Sequence, residues 1–198
     1  MPLLNITLIL FLIMDPVGNI SSYLYMTKDL DPKRHHLIIF REMLIALAVM
    51  IGFHYLGHYL FKFLSLSEVT VRLSSGLILF LIAIKILFPA PTSLRANLPK
   101  GEPFIFPLAV PLIAGPGLMA TIMLFSNLET HEPVMLSAIF IAWLASALIL
   151  YFSSPIKYLL GNNGLMACER LIGMVLVLIS VQRFLEGILL FWAQYNNK

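Results

Sequence analysis

The chain has 198 residues, 60% of them hydrophobic and only 12% charged, with a mean hydropathy of +0.92 and a formal charge of +3. A soluble domain is about half apolar and about a quarter charged, so this excess exceeds what one aqueous core can bury and the solvent must be lipid. The basic residues are scattered through short connections without interleaved aromatics, which argues against a nucleic-acid surface, and the single cysteine, Cys168, has no disulfide or thiolate-metal partner and reads as a small buried residue.

A bilayer crossing takes about 20 mostly apolar residues. Six segments approach that length: Leu3–Met26, 38–61, 73–88, 104–126, 134–152 and 171–193, the short third one extending toward residues 69–72. The expected fold is therefore an all-α membrane protein with six transmembrane segments in one domain over residues 1–198. No Lys or Arg precedes the first apolar stretch and no small-residue cleavage site follows it, so it reads as a retained span rather than a signal peptide.

The first segment is interrupted by D-P-V-G-N at residues 15–19. Proline lacks the backbone donor and pushes the preceding residue out of the helical region. Asp is also a preferred N-cap, and Pro is favoured at the first helical position. Asp15-Pro16 thus predicts a new half-helix starting at mid-membrane, with Gly18 allowing close approach to the backbone and Asn19 on the same helical face as Asp15. An Asp at a helix centre costs about 2.5–3.5 kcal/mol on insertion scales, and Ser or Asn would cap without charge. Asp15 is left with three roles: capping, binding a ligand, or taking a coupling proton. Ser21 and Ser22 read as local or interhelical hydrogen-bonding residues.

In the second segment, Arg41 and Glu42 read either as an interfacial pair or as charges at the inner mouth of a pathway. His54 and His58, four apart, have metal-binding spacing without an evident third ligand and read as interfacial histidines. Lys85 near the end of the third segment reads as a snorkelling side chain. The fourth segment carries A-G-P-G at residues 114–117, a second half-helix start with a weaker Gly cap, and Thr121 one turn on. In the sixth, Arg183 and Glu186 are expected to neutralise each other, and Gln182 to line the interface opposite Lys85.

Leu12 to Pro16 can be laid on Leu112 to Pro116 at an offset of 100, and Gly76 to Leu81 on Gly173 to Leu178 at an offset of 97. Two matches in the same order suggest a 3+3 duplication, about 1–95 and 96–198. Three is odd, so the second half would enter the membrane from the other face, as in the inverted repeats of secondary transporters. Segments 1 and 4, broken at mid-membrane, would then bring two half-helix N-termini together, an environment suited to a carboxylate. Lys28, Lys33, Arg34, Arg41, Arg95, Lys100, Lys157 and Arg170 fall on one side, against Lys62, Arg72 and Lys198 on the other. The positive-inside rule makes the first side cytoplasmic and both termini periplasmic.

F-L-I-M-D-P-V-G-N, Arg41-Glu42, S-S-G-L-I-L-F-L-I-A-I-K, P-L-A-V-P-L-I-A-G-P-G and E-R-L-I-G-M together resemble the MarC family of bacterial inner-membrane proteins, also called UPF0056 or the neutral amino acid transporter family, closest to its YhgN branch. The similarity covers essentially the whole chain. It implies six spans and a secondary transporter of small neutral amino acids or related metabolites, in uptake or export, with a proton or cation as coupling ion. By motif, the family's D-P-x-G-N falls on Asp15, Pro16, Gly18 and Asn19, and its A-G-P on Ala114, Gly115 and Pro116. Many members continue with Ile-Pro after the Asn. Here Ile20-Ser21 follows, a departure that bears on substrate identity more than on fold.

The candidate substrate site is Asp15, Pro16, Gly18, Asn19, Ala114, Gly115, Pro116, Gly117 and Thr121, with Asp15, Arg41, Glu42 and Gln182 as pathway or coupling residues. There is no G-x-S-x-G, Walker loop or H-E-x-x-H, so the expectation is a non-enzyme without cofactor or metal. Its partners would be the bilayer, a small solute and a coupling ion. A membrane enzyme and a non-transporting membrane subunit are the competing readings.

Overall fold

The first helix, α1 (Leu3–Met14), stops where the Asp-Pro rule says it must. In the computed structural model, which describes residues 3–28, 30, 32–65, 67–89, 108–128 and 131–196, Asp15 leaves the right-handed region at φ 44°, ψ 57°. Asp is among the few residues that adopt this left-handed conformation as single residues. Helix α2 (Pro16–Met26) then starts with Pro at its first turn and ends at Thr27, whose backbone N–H returns to Tyr23 O.

Helix α3 (Pro32–Leu64) outruns the predicted 38–61 at both ends, and α4 (Glu68–Leu87) takes in the 69–72 extension, capped by Ser67 Oγ on Thr70 N. Residues 90–107, which hold Arg95 and Lys100 of the third connection and the start of the predicted fourth segment, lie outside the described residues. From Leu108 to Ile113 the chain forms one wide π-type turn, in which Val110 is extended (φ −132°, ψ 124°) because Pro111 follows it. Ala114 N closes the turn on Ala109 O at 2.8 Å, and α5 (Pro116–Leu128) begins after Gly115. The second break therefore runs from Val110 to Gly115, wider than A-G-P alone predicts, because two prolines bracket it.

Helix α6 (Glu132–Tyr151) matches its prediction, whereas α7 (Ser153–Asn196) is far longer than 171–193. The stretch read as a connection is helical up to a kink at Gly161, whose φ of 65° a glycine adopts without strain. Among the described residues, five helical stretches are long and apolar enough to cross a bilayer: Leu3–Met26, Arg34–Gly57, Glu68–Leu87, Glu132–Tyr151 and Ser153–Asn196, with Pro116–Leu128 shorter. All the described regular structure is helical.

Packing runs through small residues. A Cβ placed on Gly76 of α4 would lie 2.7 Å from Phe184 N of α7, and one on Gly173 of α7 would lie 2.9 Å from Leu87 Cγ of α4. Both residues of the first contact shift onto the second by the same offset of 97, with the helices exchanged. Gly57 of α3 brings Met123 Cα of α5 within 2.6 Å of its would-be Cβ. Helix α1 packs on α6, where Ser146 Oγ reaches Met14 Sδ at 3.5 Å. The core lies among α1, α2, α3, α5 and α6 and centres on Leu10, Met14, Ile20, Tyr23, Ile122 and Phe125. Large apolar side chains such as Leu37, Phe63, Leu178 and Leu189 point outward, as a lipid-solvated surface requires. Cys168 is half-buried rather than fully buried.

Candidate functional site

Each break orphans specific backbone groups, and the nearby polar side chains are placed to take them. A helix passing through residue 16 would pair Leu12 O with its N–H, but Pro16 has none; Leu12 O accepts from Asp15 N instead, at 3.2 Å. Asp15 is 2% exposed, and its Oδ1 accepts from Gly18 N at 3.1 Å. That cap draws Gly18 N away from Met14 O, the carbonyl a continuous helix would give it. Asn19 Nδ2 donates to Met14 O at 2.9 Å in its place.

The second break repeats the problem. Pro116 leaves Leu112 O without its helical donor, and Asn19 Nδ2 also donates to that oxygen, at 3.3 Å across 93 residues of sequence. An amide carries two N–H donors, so one fully buried Asn19 side chain ties both breaks together. On the other flank of the wide turn, Glu42 of α3 is fully buried and its Oε2 accepts from Ala109 N at 3.3 Å. Its Oε1 accepts from Arg41 Nε at 3.1 Å.

Beside the breaks lies a cavity of about 420 Å³, within the ~300–1,000 Å³ of small-molecule sites. Asp15, Gly115, Pro116 and Gly117 line it together with Ile13, Leu112 and Ile113, and α4 supplies the facing wall. The start of α5 and the cap of α2 thus border one space, where helix N-termini present positive potential and donors. Gly117 is where α5 meets α4: a Cβ there would lie 2.7 Å from Ile82 Cγ1 and Cδ1.

The remaining sequence candidates are supporting residues or lie elsewhere. Pro16, Gly18 and Ala114 are buried and stand outside the cavity wall, and Thr121 Oγ1 donates locally to Gly117 O at 2.8 Å. Arg41 and Glu42 hold the wide turn rather than line the cavity. Gln182 departs from its predicted place. It is exposed and donates to Glu186 Oε1 at 3.2 Å, because the α7 face toward α4 carries Gly173, Leu176, Ser180 and Gly187, and residue 182 falls off that stripe. Arg183 and Glu186 pair as expected, at 3.3 Å, and Glu186 also lies 3.8 Å from Arg72. His54 Nδ1 contacts Ser126 Oγ at 2.6 Å, both buried in the α3–α5 seam, while the side chain of His58 lies outside the described residues. Among the described residues no group of three metal-ligating side chains occurs.

Lys85, expected to snorkel, is exposed near the end of α4 and also borders the cavity. It lies on the cavity wall, on the α4 face formed by Ile78, Leu81, Ile82, Lys85 and Ile86, with Pro89 just beyond the helix. That three-and-four spacing was legible in the sequence; which way the face turned was not.

The chain is 45% identical over 188 residues to the UPF0056 inner membrane protein YhgN of Escherichia coli strain K12, covering 94% of this chain and 95% of that protein. It is 43% identical over 187 residues to a UPF0056 membrane protein of Buchnera aphidicola subsp. Schizaphis graminum, with the same coverage. A UPF0056 membrane protein of Chlamydia pneumoniae is 35% identical over 188 residues, 94% of this chain and 93% of that protein. No solved structure matches the chain. Residues 2–191 match the family described as MarC family integral membrane protein, and the chain belongs to the MarC family.

Proposed function

We propose that the protein is a bacterial inner-membrane secondary transporter that moves small neutral amino acids or related metabolites, with a proton or cation as coupling ion. The observation that carries this reading is the cavity shared by both broken segments, with the Asp15 carboxylate on its wall beside the start of α5. Irregular backbone at membrane depth is tolerated only where it is buried in protein or lines a cavity, and here it does both. A negative side chain beside a helix N-terminus offers opposite potentials to the two ends of a zwitterion.

In this reading the chain crosses the membrane six times as two inverted halves. The reciprocal contacts of Gly76 with Phe184 and of Gly173 with Leu87 support that symmetry. The bias of Lys and Arg supports a periplasmic position for both termini. The name of the Escherichia coli relative YhgN supports the inner-membrane location.

The test is flux of labelled alanine, glycine and serine into proteoliposomes, with and without a proton gradient. Flux of at least one solute, abolished by Gly115→Leu, is the expected result. Absence of flux for all three removes this substrate class. Full function after both Asp15→Asn and Gly115→Leu would favour a non-transporting subunit instead.

A further inference from the structure

The cavity wall carries one acid and one base among the described residues, Asp15 and Lys85; the other lining residues are aliphatic, Gly or Pro. Lys85 belongs to the last turn of α4, where a cation commonly serves the helix's own carbonyl end. Part of that end is already served. Ile84 O accepts from Phe88 N at 2.8 Å, and Ile86 O accepts from Arg170 Nη1 at 3.4 Å. Lys85 instead shares a face with Ile82, the side chain that meets Gly117 at the start of α5. Residue 85 is about 4.5 Å farther along the axis at ~1.5 Å per residue. Helical side chains lean toward their own N-terminus, so the Lys85 stem leans back toward the Ile82 level. An ammonium near a helix N-terminus brings two positive potentials into one space, and an anion between them relieves the repulsion.

We propose that Lys85 receives the carboxylate of the solute while Asp15 faces its ammonium, so that the site selects small zwitterions over amines of the same size. This rests on reading the cavity as the solute site. The aliphatic wall from Ile78, Ile82 and Leu112 suits a short apolar substituent between the two charged ends.

The experiment measures ligand-induced thermal protection of the purified full-length protein, and flux in proteoliposomes, with L-alanine, L-alaninamide and propionate. Wild-type protein should be protected by alanine at concentrations at least tenfold lower than by alaninamide, which lacks the carboxylate. Lys85→Gln should raise the alanine concentration for half-maximal protection and flux tenfold or more, leave alaninamide unchanged, and leave the ligand-free melting temperature near wild type. Lys85→Arg should stay within a few-fold of wild type. Equal alanine response in Lys85→Gln and wild type would overturn the assignment, because a residue serving only the end of α4 alters melting and not selectivity. So would equal protection of wild-type protein by alanine and alaninamide, a comparison that needs no variant, or no protection by either carboxylate. Protection by propionate without alanine binding or flux would remove the amino acid reading and retain the Lys85 assignment. Alanine flux indifferent to Lys85 would do the reverse.

Discussion

The two breaks solve the same problem by different means. Around Asp15 the solution is local: Asp15 N takes Leu12 O, Asp15 Oδ1 takes Gly18 N, and Asn19 takes Met14 O, all within eight consecutive residues. Around Gly115 it is borrowed: Leu112 O is held by Asn19 from 93 residues away, and Ala109 N by Glu42 from 67 residues away. Gly115 has no side chain to cap α5, so the second break depends on the packing that brings α2 and α3 to it. The first break is held by groups within its own stretch; the second adds to its local Ala114 N–Ala109 O bond the side chains of Asn19 and Glu42. The two are therefore unequal in what each mutation should remove.

Asn19 serves both breaks, and changing it should have the largest effect. Asn19→Asp replaces two donors with a carboxylate facing carbonyl oxygens that now stand 2.9 and 3.3 Å from Nδ2. Stability should fall by about 3 kcal/mol or more, since a buried polar group left unsatisfied costs ~1–3 kcal/mol and a charged one more. Asn19→Ala should lose about 2 kcal/mol. Denaturant titration in detergent measures both. A loss for Asn19→Ala below about 0.5 kcal/mol would show that the tie between the breaks contributes nothing.

Glu42 should come next, and only the second break should feel it. Glu42→Ala should cost about 2–3 kcal/mol, the range of a hydrogen bond to a charged group together with an orphaned buried donor. Glu42→Gln, which keeps an acceptor for Ala109 N, should cost about 1 kcal/mol. Combination with Asn19→Ala sharpens the contrast. Asn19 and Glu42 hold the same 108–113 turn and should show a coupling of about 0.5 kcal/mol or more, whereas Asp15→Ala, which removes the cap on Gly18 N at the first break, should add to Glu42→Ala within about 0.5 kcal/mol. Equal coupling in both pairs would erase the distinction between local and borrowed support.

The same distinction explains what the sequence disclosed. Asp15-Pro16 announces itself because cap, proline and left-handed tolerance are properties of adjacent residues. The A-G-P motif located the second half-helix but not the width of its break. Val110-Pro111 held that information, yet an X-Pro pair in an apolar string is common and its turn, closed by Ala114 N on Ala109 O, is also held by side chains on other helices. Spacing gave the α4 face containing Lys85; its direction depends on where Gly117 meets Ile82, a contact between segments. Gln182 was misplaced for a related reason. The offset of 97 set it opposite Lys85 in alignment, but the stripe of small residues on α7, not the alignment, decides which side chains face α4. Residues 153–170 precede the apolar segment at 171–193, and Gly161 lets helix run through them with a kink.

Asp15 itself should matter moderately for stability. Asp15→Ala loses a cap worth about 1 kcal/mol and puts alanine in a left-handed conformation costing a further ~1–2 kcal/mol. Asp15→Asn keeps an acceptor for Gly18 N and tolerates that conformation, so its stability should lie within about 0.5 kcal/mol of wild type. Any loss of flux in Asp15→Asn then reports the charge rather than the cap. Unimpaired flux in a stable Asp15→Asn protein would leave Asp15 as a cap alone.

The smallest stability effect should come from Gly117→Ala, and it separates packing from passage. The new Cβ would stand 2.7 Å from Ile82 Cγ1 and Cδ1, so the isoleucine side chain must turn. Overpacking costs ~1–3 kcal/mol in a tight core, but Ile82 borders a cavity and has room to move, and alanine regains up to ~1 kcal/mol of helix propensity. The net change should stay below about 1 kcal/mol. The displaced side chain has the cavity to enter, so the half-saturation concentration for a transported solute should rise several-fold. Shortening the obstruction with Ile82→Ala in the same protein should restore it. A Gly117→Ala protein that is stable and moves solute as wild type does would show that the space between α4 and the start of α5 is not the route.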